Sequence, residues 1–390
     1  MRVQISLLGL LLFSGGTQAL AAPAPLDRPT VISESGQYIL TGDIDTLTPP
    51  ALVIDAPQVS LDLNGHTVST PGYVSGPLIT MTEAGRHLSV TNGTLAGGTL
   101  CLDIPAAMTD IHIDHILCRD SWDGIAILDA SSFVMSSSEI AAHKKAMTVA
   151  GSFSLLLRGN NVHQVLIQAN ESTCGVSFSG IAESTIEDNV FECEAYNGGA
   201  FSLSGDGGVV TGNTFLGTDS QSGVAVHSGQ YSITANSFVG YRLGAVLLES
   251  SGNVLAHNHF TGGYGVETAV VVGGTNNLIN ENLIENYTYG MVVDGSGNRI
   301  QHNVIAGSWD RGMSVSGSRN RVFWNDIQSR YAHFSTGLRF DTTSTHNIFK
   351  GNILTINPGG GLEDLGTKNV NAGGNVLGPA PSSRSTVVDR

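Results

Sequence analysis

The chain has 390 residues, a formal net charge of −15, 49 glycines and only 13% charged side chains. A hydrophobic fraction of 41% excludes an intrinsically disordered chain, and the glycine content favours a turn-rich, all-β fold over amphipathic helices. Because no run is rich in Lys and Arg, the negative charge argues against nucleic acid and anionic membranes as partners.

Residues 1–22 have the order of a secretory signal peptide. Arg2 is followed by an apolar run over residues 5–13 and then by the small-residue pattern Ala19-Leu20-Ala21. The apolar run is too short to cross a bilayer, and no later stretch reaches about 18 apolar residues. We expect cleavage near Ala21 or Ala22, a secreted or periplasmic product, and no transmembrane segment.

Residues 23–375 are predicted to form one domain of stacked coils. Two early segments, beginning at Gly36 and Gln58, are typical of strands, and we expect residues 30–70 to cap the open end of the stack. After Asn375 the chain turns to Pro and Ser without an apolar period. Residues 376–390 are therefore predicted to be a flexible tail.

An asparagine followed two positions later by an apolar side chain recurs at a nearly constant interval along the chain. The positions are Asn189, Asn213, Asn236, Asn258, Asn282, Asn303, Asn325 and Asn352. Between them lie glycines followed by apolar residues, as in Gly223-Val-Ala-Val and Gly312-Met-Ser-Val. A period of about 22 residues predicts a β-solenoid of short strands, in which stacked asparagines hydrogen-bond from coil to coil.

Four cysteines follow the signal segment, Cys101, Cys118, Cys174 and Cys193. Within each of the two local pairs, the separation along the chain is slightly less than one coil. Cys101 with Cys118, and Cys174 with Cys193, are therefore candidates for disulfides between stacked coils in an oxidising compartment. Four buried thiols remain the alternative.

The segments SGQYILTGDI and VSLDLNGHTVS, together with the coils N-x-φ…G-φ-x-φ, resemble the pectate-lyase-like superfamily of right-handed parallel β-helix proteins. Within it the sequence is most similar to the branch of NosD-type periplasmic proteins and mannuronan C5-epimerase-like carbohydrate-binding domains. The resemblance covers about Ile32 to Asn375 and implies a single-domain, all-β, right-handed parallel β-helix that binds polysaccharide in a groove along one sheet. The Asp-Pro-His-Asp motif of the epimerases is missing, so the resemblance implies the scaffold rather than a particular reaction.

Five aromatic residues recur at the spacing of one coil: Tyr241, Tyr264, Tyr287, Trp309 and Tyr331. This spacing predicts a column along one edge of successive coils. Such a column would stack on the apolar faces of an extended sugar chain. The alternative is an aromatic stack that only fills a turn.

Charged residues beside this column form the first candidate catalytic group. Arg242, Tyr289, Asp310 and Arg311 precede glycine-led strands and are expected at the rim of the groove. An arginine would neutralise a uronate carboxylate while a tyrosine or second arginine takes the C5 proton, as in a lyase or epimerase. Asp310 beside Arg311 is alternatively a surface ion pair.

A second candidate group contains Asp123 and Lys145, which are one coil period apart and are predicted to lie on adjacent coils. Its other members are Asp120, Trp122, His143 and Lys144. Two carboxylates near an aromatic suit glycoside hydrolysis, whereas a carboxylate with Lys and His suits proton transfer. An exposed charge ladder is the alternative.

The sequence predicts no cofactor. Asp120, Asp123 and Asp129 offer a weak calcium possibility, but no EF-hand or nonapeptide pattern accompanies them. We expect a monomer that binds extended polysaccharide, and cleavage and epimerisation are the candidate reactions if it is an enzyme. The alternative is a non-catalytic periplasmic or surface scaffold of the NosD or adhesin kind.

Overall fold

The computed structural model describes residues 22–105, 109–152, 154–164, 175–193, 199–217, 222–263, 267–329, 336–356 and 361–379. Within these ranges every regular element is a β-strand, and no helix is long and apolar enough to cross a membrane. The signal segment expected over residues 1–22 lies, apart from its last residue, outside the described part of the chain.

The chain is a parallel β-solenoid of about 13 turns with coils of about 23 residues, which confirms the predicted fold class and repeat. Each regular coil contributes one strand to each of three ladders, and every pairing between successive coils is parallel. The first ladder is a 15-stranded sheet, and the second and third ladders together form a 29-stranded sheet. Two long strands join the second and third ladders.

The first ladder comprises Thr30–Ile32, Leu52–Ile54, Pro77–Met81, Leu100–Ile104, Asp123–Leu128, Met147–Ala150, Val176–Ile181, Gly199–Gly205, Ser222–Val226, Gly244–Leu248, Thr268–Val272, Tyr289–Val293, Arg311–Val315, Thr336–Phe340 and Leu362–Asp364. The second comprises Ala24–Leu26, Gly36–Leu40, Gln58–Asp62, Ser132–Ser136, Leu155–Arg158, Ser184–Glu187, Gly207–Thr211, Gln230–Thr234, Val254–Ala256, Leu278–Asn280, Arg299–Gln301, Arg321–Phe323, Ile348–Lys350 and Val370–Asn371. The third comprises Ile44–Asp45, Thr67–Ser69, Glu139–Ala142, Asn161–Gln164, Val190–Cys193, Thr214–Gly217, Ser237–Val239, His259–Thr261, Leu283–Glu285, Val304–Ser308, Asp326–Ser329, Ile353–Ile356 and Val376–Pro379. The strands His87–Ala96 and Asp110–Ser121 belong to both the second and the third ladder.

The core lies inside the coil and follows from strand alternation. In Gln58–Asp62, for example, Val59 and Leu61 are buried while Gln58 and Ser60 face solvent. In the third ladder the inward position is aromatic on four successive coils, at Phe191, Phe215, Phe238 and Phe260, whose neighbouring rings stack at 4.8 to 5.2 Å. The core is thus a set of side-chain columns that run along the stack.

Two asparagine ladders stabilise the turns, as the sequence predicts. The main ladder, between the second and third strand ladders, contains Asn160, Asn189, Asn213, Asn236, Asn258, Asn282, Asn303, Asn325, Asn352 and Asn375. A second ladder follows the first-ladder strands and contains Asn253, Asn277, Asn298, Asn320, Asn347 and Asn369. In both, each side-chain oxygen after the first accepts the backbone N–H of the asparagine one coil earlier, so buried backbone groups are satisfied at the turns.

Strands pair regularly at both ends of the described stack. The segment expected as a cap over residues 30–70 forms coils whose strands pair in register with those that follow. At the other end Val376–Pro379 pairs with Ile353–Ile356, so the described stack continues past the boundary placed at residue 375.

A disulfide joins Cys101 and Cys118, whose Cα atoms are 5.9 Å apart. Cys101 belongs to the first ladder and Cys118 to the third-ladder half of a long strand of the same coil. The bond therefore crosses the interior of one coil, whereas the sequence analysis expected it between two stacked coils. Cys174 and the side chain of Cys193 lie outside the described residues.

Candidate functional site

The structure corrects the prediction of a sugar-binding edge for two of the five aromatic residues in the column. The side chains of Tyr241 and Tyr287 are 0% exposed and belong to the core. Burial raises the pKa of both phenols well above the ordinary value. Tyr264 and Tyr331 lie outside the described residues.

The inward orientation of Tyr241 and Tyr287 has a local cause, because a glycine on the preceding coil faces each ring. A Cβ added at Gly223 would approach Tyr241 Cε2 to 3.1 Å, and one added at Gly262 would approach Tyr287 Cδ2 to 2.9 Å. The absent Cβ atoms leave the space that these rings fill. The coil period therefore identifies the column but not the face on which its rings lie.

The outer members of this region are Trp309 and Arg242. Trp309 is half-buried, and its backbone N–H donates to the carbonyl oxygen of Tyr287 at 3.0 Å, so these residues do lie on stacked coils. Arg242 is partly exposed, and its carbonyl oxygen accepts the Glu267 N–H at 2.7 Å. The column is thus mixed, with two rings inside and Trp309 partly outside.

Tyr289, Asp310 and Arg311 form a compact group at the amino-terminal edge of the first ladder. Tyr289 and Arg311 are register partners on adjacent strands, and the Arg311 guanidinium carbon lies 5.7 Å from the centre of the Tyr289 ring. A hydrogen bond to the Asp310 carboxylate, followed by desolvation, raises the pKa of Tyr289. A phenol held neutral in this way is a poor general base near neutral pH.

The neighbouring Arg339 is neutralised by two carboxylates. It donates to Asp341 at 2.6 Å and lies 3.1 Å from Glu363. The hydrogen bond to Asp341 is the main cause that raises its pKa. Its charge is therefore less available to a ligand than that of Arg311, for which no ion pair occurs among the described residues.

Asp123 and Lys145 lie on adjacent coils at the same edge of the first ladder. The Asp123 carboxylate accepts the backbone N–H of Lys145 at 3.0 Å, and the carbonyl oxygen of Lys145 accepts the Gly124 N–H at 2.8 Å. Both side chains are partly exposed. Asp123 therefore has a structural role in the turn as well as a solvent-facing carboxylate oxygen.

Tyr73, Trp122 and His143 form an aromatic cluster beside Asp123. The Tyr73 hydroxyl and His143 Nε2 are joined by a hydrogen bond of 2.6 Å, and the Tyr73 ring contacts Trp122 and His143 edge to face at 5.9 and 5.0 Å. Tyr73 is 48% exposed, and Trp122 and His143 are partly exposed. We call Tyr73, Trp122 and His143 the aromatic cluster.

Tyr73 reaches Trp122 across an intervening coil that carries two glycines, and His143 lies one coil beyond Trp122. The turn that contains Tyr73 leads into Pro77–Met81, whereas Trp122 precedes a strand two coils further along the first ladder. A Cβ at Gly97 would come within 2.2 Å of the Thr70 carbonyl oxygen, and one at Gly98 within 2.9 Å of the Gly76 carbonyl oxygen. Because Gly97 and Gly98 have no side chains, the turn that contains Tyr73 can fold over their coil. Sequence reasoning missed Tyr73 because it belongs to no repeat; its only signal is a tyrosine in the glycine- and proline-rich segment 71–77.

Asp103 is a second residue that sequence reasoning missed. It lies on the outer face of the first ladder, in register with Thr80 and Ala126, and desolvation by burial raises its pKa. A carboxyl group that holds its proton more tightly than usual is a candidate acid or hydrogen-bond donor. No repeat signals this residue, because its neighbours in the column are uncharged.

The three aspartates considered for calcium do not converge. Asp120 pairs with Arg119 at 2.9 Å, Asp123 binds the Lys145 backbone, and Asp129 lies in a separate turn. The part of the chain that the structure describes holds no group of three or more His, Cys, Asp or Glu side chains arranged for a metal ion.

Two family models match the chain. One, described as periplasmic copper-binding protein (NosD), matches residues 107–287, and the other, described as right handed beta helix region, matches residues 222–377. The chain is a right-handed parallel β-helix protein. No match was found among curated proteins.

Solved structures of other β-helix proteins are similar over most of this chain. The A-module of the Azotobacter vinelandii mannuronan C-5 epimerase AlgE6 is 13% identical, with 90% of each chain covered and a TM-score of 0.35. DFA-IIIase from Arthrobacter chlorophenolicus is 17% identical, with 90% of this chain and 88% of that chain covered and a TM-score of 0.41. Tailspike protein 3 of bacteriophage CBA120 is 12% identical, with 93% of this chain and 55% of that chain covered and a TM-score of 0.39. Similarity at this level carries no information about activity.

Proposed function

We propose that this β-helix is an exported protein that binds an extended polysaccharide along the amino-terminal edge of its first ladder. The observation that carries the proposal is the aromatic cluster, in which Tyr73 contacts Trp122 and His143 on later coils. Exposed rings provide apolar surface for the C–H face of a sugar, and the hydroxyl, imidazole and carboxylate beside them provide hydrogen-bonding groups for its hydroxyls.

The binding surface extends along the ladder to Tyr289 and Arg311. Asp123, Tyr289 and Arg311 each begin a strand of this ladder, so they occupy equivalent positions on different coils. Coils are spaced by about 4.8 Å, and a ligand that contacts both groups must therefore be a polymer. Arg311 would attract a carboxylate on that polymer, which favours a uronate-containing chain.

The chemistry that the aromatic cluster supports is proton transfer rather than hydrolysis by paired carboxylates. Tyr73 and His143 form a hydrogen-bonded phenol and imidazole, two groups that act as general acids and bases. The nearby carboxylates have other partners, since Asp120 pairs with Arg119 and Asp123 binds the Lys145 backbone. A lyase or epimerase reaction at a uronate C5 is thus favoured over glycoside hydrolysis.

The test measures retention of the purified mature protein on neutral and uronate polysaccharides, together with formation of unsaturated or reducing ends. Trp122→Ala is expected to weaken retention about 10-fold, the equivalent of about 1.4 kcal/mol. Leu47→Ala, which removes an exposed apolar side chain elsewhere, is the control. Equal retention of the Trp122→Ala variant and the intact protein would refute binding at this edge.

A non-catalytic scaffold is the second candidate function. The contacts around Tyr289, Asp310 and Arg339 favour it. Arg339 forms ion pairs with Asp341 and Glu363, and the Asp310 carboxylate raises the pKa of Tyr289. Such mutual satisfaction is typical of a surface ladder that stabilises neighbouring coils. Retention without new chain ends on any polysaccharide would support this candidate.

A further inference from the structure

We propose that a separate surface, on the second ladder near the end of the stack, binds an acidic glycan. This surface, which we call the basic face, comprises Arg299, Arg319, Arg321 and Lys350 with the exposed aromatic Trp324. It lies on a different sheet from the aromatic cluster, so the inference does not rest on the function proposed above.

The basic face concentrates positive charge in a protein whose net charge is −15. Arg299 and Arg321 are register partners on adjacent strands, and Lys350 follows one coil later, in register with Phe323. All four cations are exposed. Like charges opposite one another on neighbouring strands are destabilising, so this arrangement has a cost that a bound anion would remove.

These cations lack carboxylate partners within the described residues. Other arginines, such as Arg28, Arg119, Arg158 and Arg339, do form ion pairs. The side chain of Arg299 instead donates to Gln301, whose amide donates to Asn280 at 2.9 Å. The basic face therefore offers guanidinium groups together with a fixed row of amides, a combination that binds carboxylates and hydroxyls.

Trp324 is 45% exposed and is held in a fixed orientation beside the cations. Its ring is nearly parallel to that of His302, with the ring centres 5.3 Å apart and an angle of 15°. The other side of its position is set by Gly351, where an added Cβ would lie 2.5 Å from Trp324 Cδ1. An indole fixed in this way is a ready surface for stacking on a sugar ring.

The combination of charge and aromatic surface favours a polyuronate over other polyanions. Cations on successive coils can meet carboxylates on successive sugars, while Trp324 contacts an apolar sugar face. Nucleic acid carries a much denser charge, which the acidic remainder of the protein would repel. The face is also limited to a few neighbouring coils, whereas an anionic membrane would require a broad basic surface.

The experiment compares binding of the intact mature protein to polygalacturonate with that of two variants that lose the same charge. Arg299→Gln/Arg321→Gln is expected to bind about 10-fold more weakly, whereas Arg28→Gln/Arg158→Gln, which alters paired surface arginines, is expected to bind unchanged. Trp324→Ala is expected to weaken binding but to keep its dependence on salt, because the cations remain.

The same comparison in a Trp122→Ala background separates this site from the first-ladder edge. The loss caused by Arg299→Gln/Arg321→Gln should persist there. Equal weakening by both double variants would mean general electrostatic attraction and would overturn the inference, as would polygalacturonate binding that neither Arg299→Gln/Arg321→Gln nor Trp324→Ala weakens. Tighter binding to double-stranded DNA or to phosphatidylglycerol vesicles than to polygalacturonate would also overturn it.

Discussion

The side-chain oxygen of Asn258 accepts two hydrogen bonds from Asn236 on the preceding coil, one from the backbone N–H at 2.9 Å and one from the side-chain amide at 3.0 Å. Asn258 in turn donates to the carbonyl oxygen of Ile233 and to the side chain of Asn282. One buried side chain thus satisfies groups on three coils. The same relationship repeats at each step of the ladder from Asn160 to Asn375 and fixes the turn geometry of those coils.

Asn258→Ala is therefore expected to destabilise the stack by about 3 kcal/mol or more, because it leaves several buried polar groups without partners. The measurement is the shift in the midpoint of urea unfolding. Asn375→Ala, at the partly solvated end of the same ladder, is expected to cost much less, since water can replace the lost bonds. Equal shifts for the two variants would contradict a ladder role for Asn258.

Tyr73→Phe is expected to reduce polysaccharide retention or turnover while leaving the unfolding midpoint nearly unchanged. The substitution removes only the hydroxyl that binds His143 Nε2 at 2.6 Å, and Tyr73 is largely outside the core. The matched control is Tyr38→Phe, which removes a hydroxyl that donates to the Glu34 carbonyl oxygen at 2.7 Å. A loss of binding with Tyr38→Phe as large as that with Tyr73→Phe would argue against a specific site.

The buried tyrosines predict a loss of stability at alkaline pH. Desolvation raises the pKa of Tyr231 to about 12 and raises that of Tyr241 and Tyr287 further still. A raised pKa in the folded state means that the unfolded chain loses these protons first, so stability is complete below about pH 10 and falls as the pH rises above it. Urea unfolding midpoints between pH 8 and 12 measure this fall.

Tyr241→Phe tests the cause of that dependence. The Tyr241 hydroxyl is buried without a hydrogen-bond partner among the described residues, so its removal is expected to leave stability at pH 8 unchanged or higher. The decline above pH 10 should become shallower, because one titrating group is gone. An unchanged slope would assign the alkaline loss to other groups.

Reduction of the Cys101–Cys118 disulfide is expected to lower stability by about 3 kcal/mol, the chain-entropy value for a loop of this length. The measurement is the unfolding midpoint with and without a thiol reductant. In Cys101→Ala/Cys118→Ala the effect of the reductant should be smaller by about this amount. A reductant effect of the same size in this variant and in the intact protein would assign the stabilisation elsewhere.

Gly351→Ala is expected to displace Trp324 and weaken binding of polygalacturonate to the basic face. The added methyl would lie 2.5 Å from Trp324 Cδ1 at a position where φ is +65°. Gly373→Ala is the matched control, because φ is also positive there, at +87°, but no atom lies within 4 Å of the added Cβ. Tryptophan fluorescence and glycan binding should change in the first variant only.

The sequence by itself determined the repeat, because every coil of a solenoid needs the same turn and strand residues at the same positions. The registered asparagines from Asn189 to Asn352 and the glycine-led strands predict the coil length, the parallel stacking and the amide ladders, all of which the structure contains. The column positions of Tyr241, Tyr287 and Trp309 also follow from the period.

Only the tertiary structure decided whether each of these side chains lies inside the coil or on its outer surface. Turns differ in length between coils, so alternation cannot be continued through them, and the space beside Gly223 and Gly262 places Tyr241 and Tyr287 inside. Tyr73 and Trp324 could be recognised as candidate site residues only in the structure, because the residues that they contact lie on other coils. A periodic sequence specifies backbone register, whereas the surface chemistry of a solenoid depends on turn packing that the period does not encode.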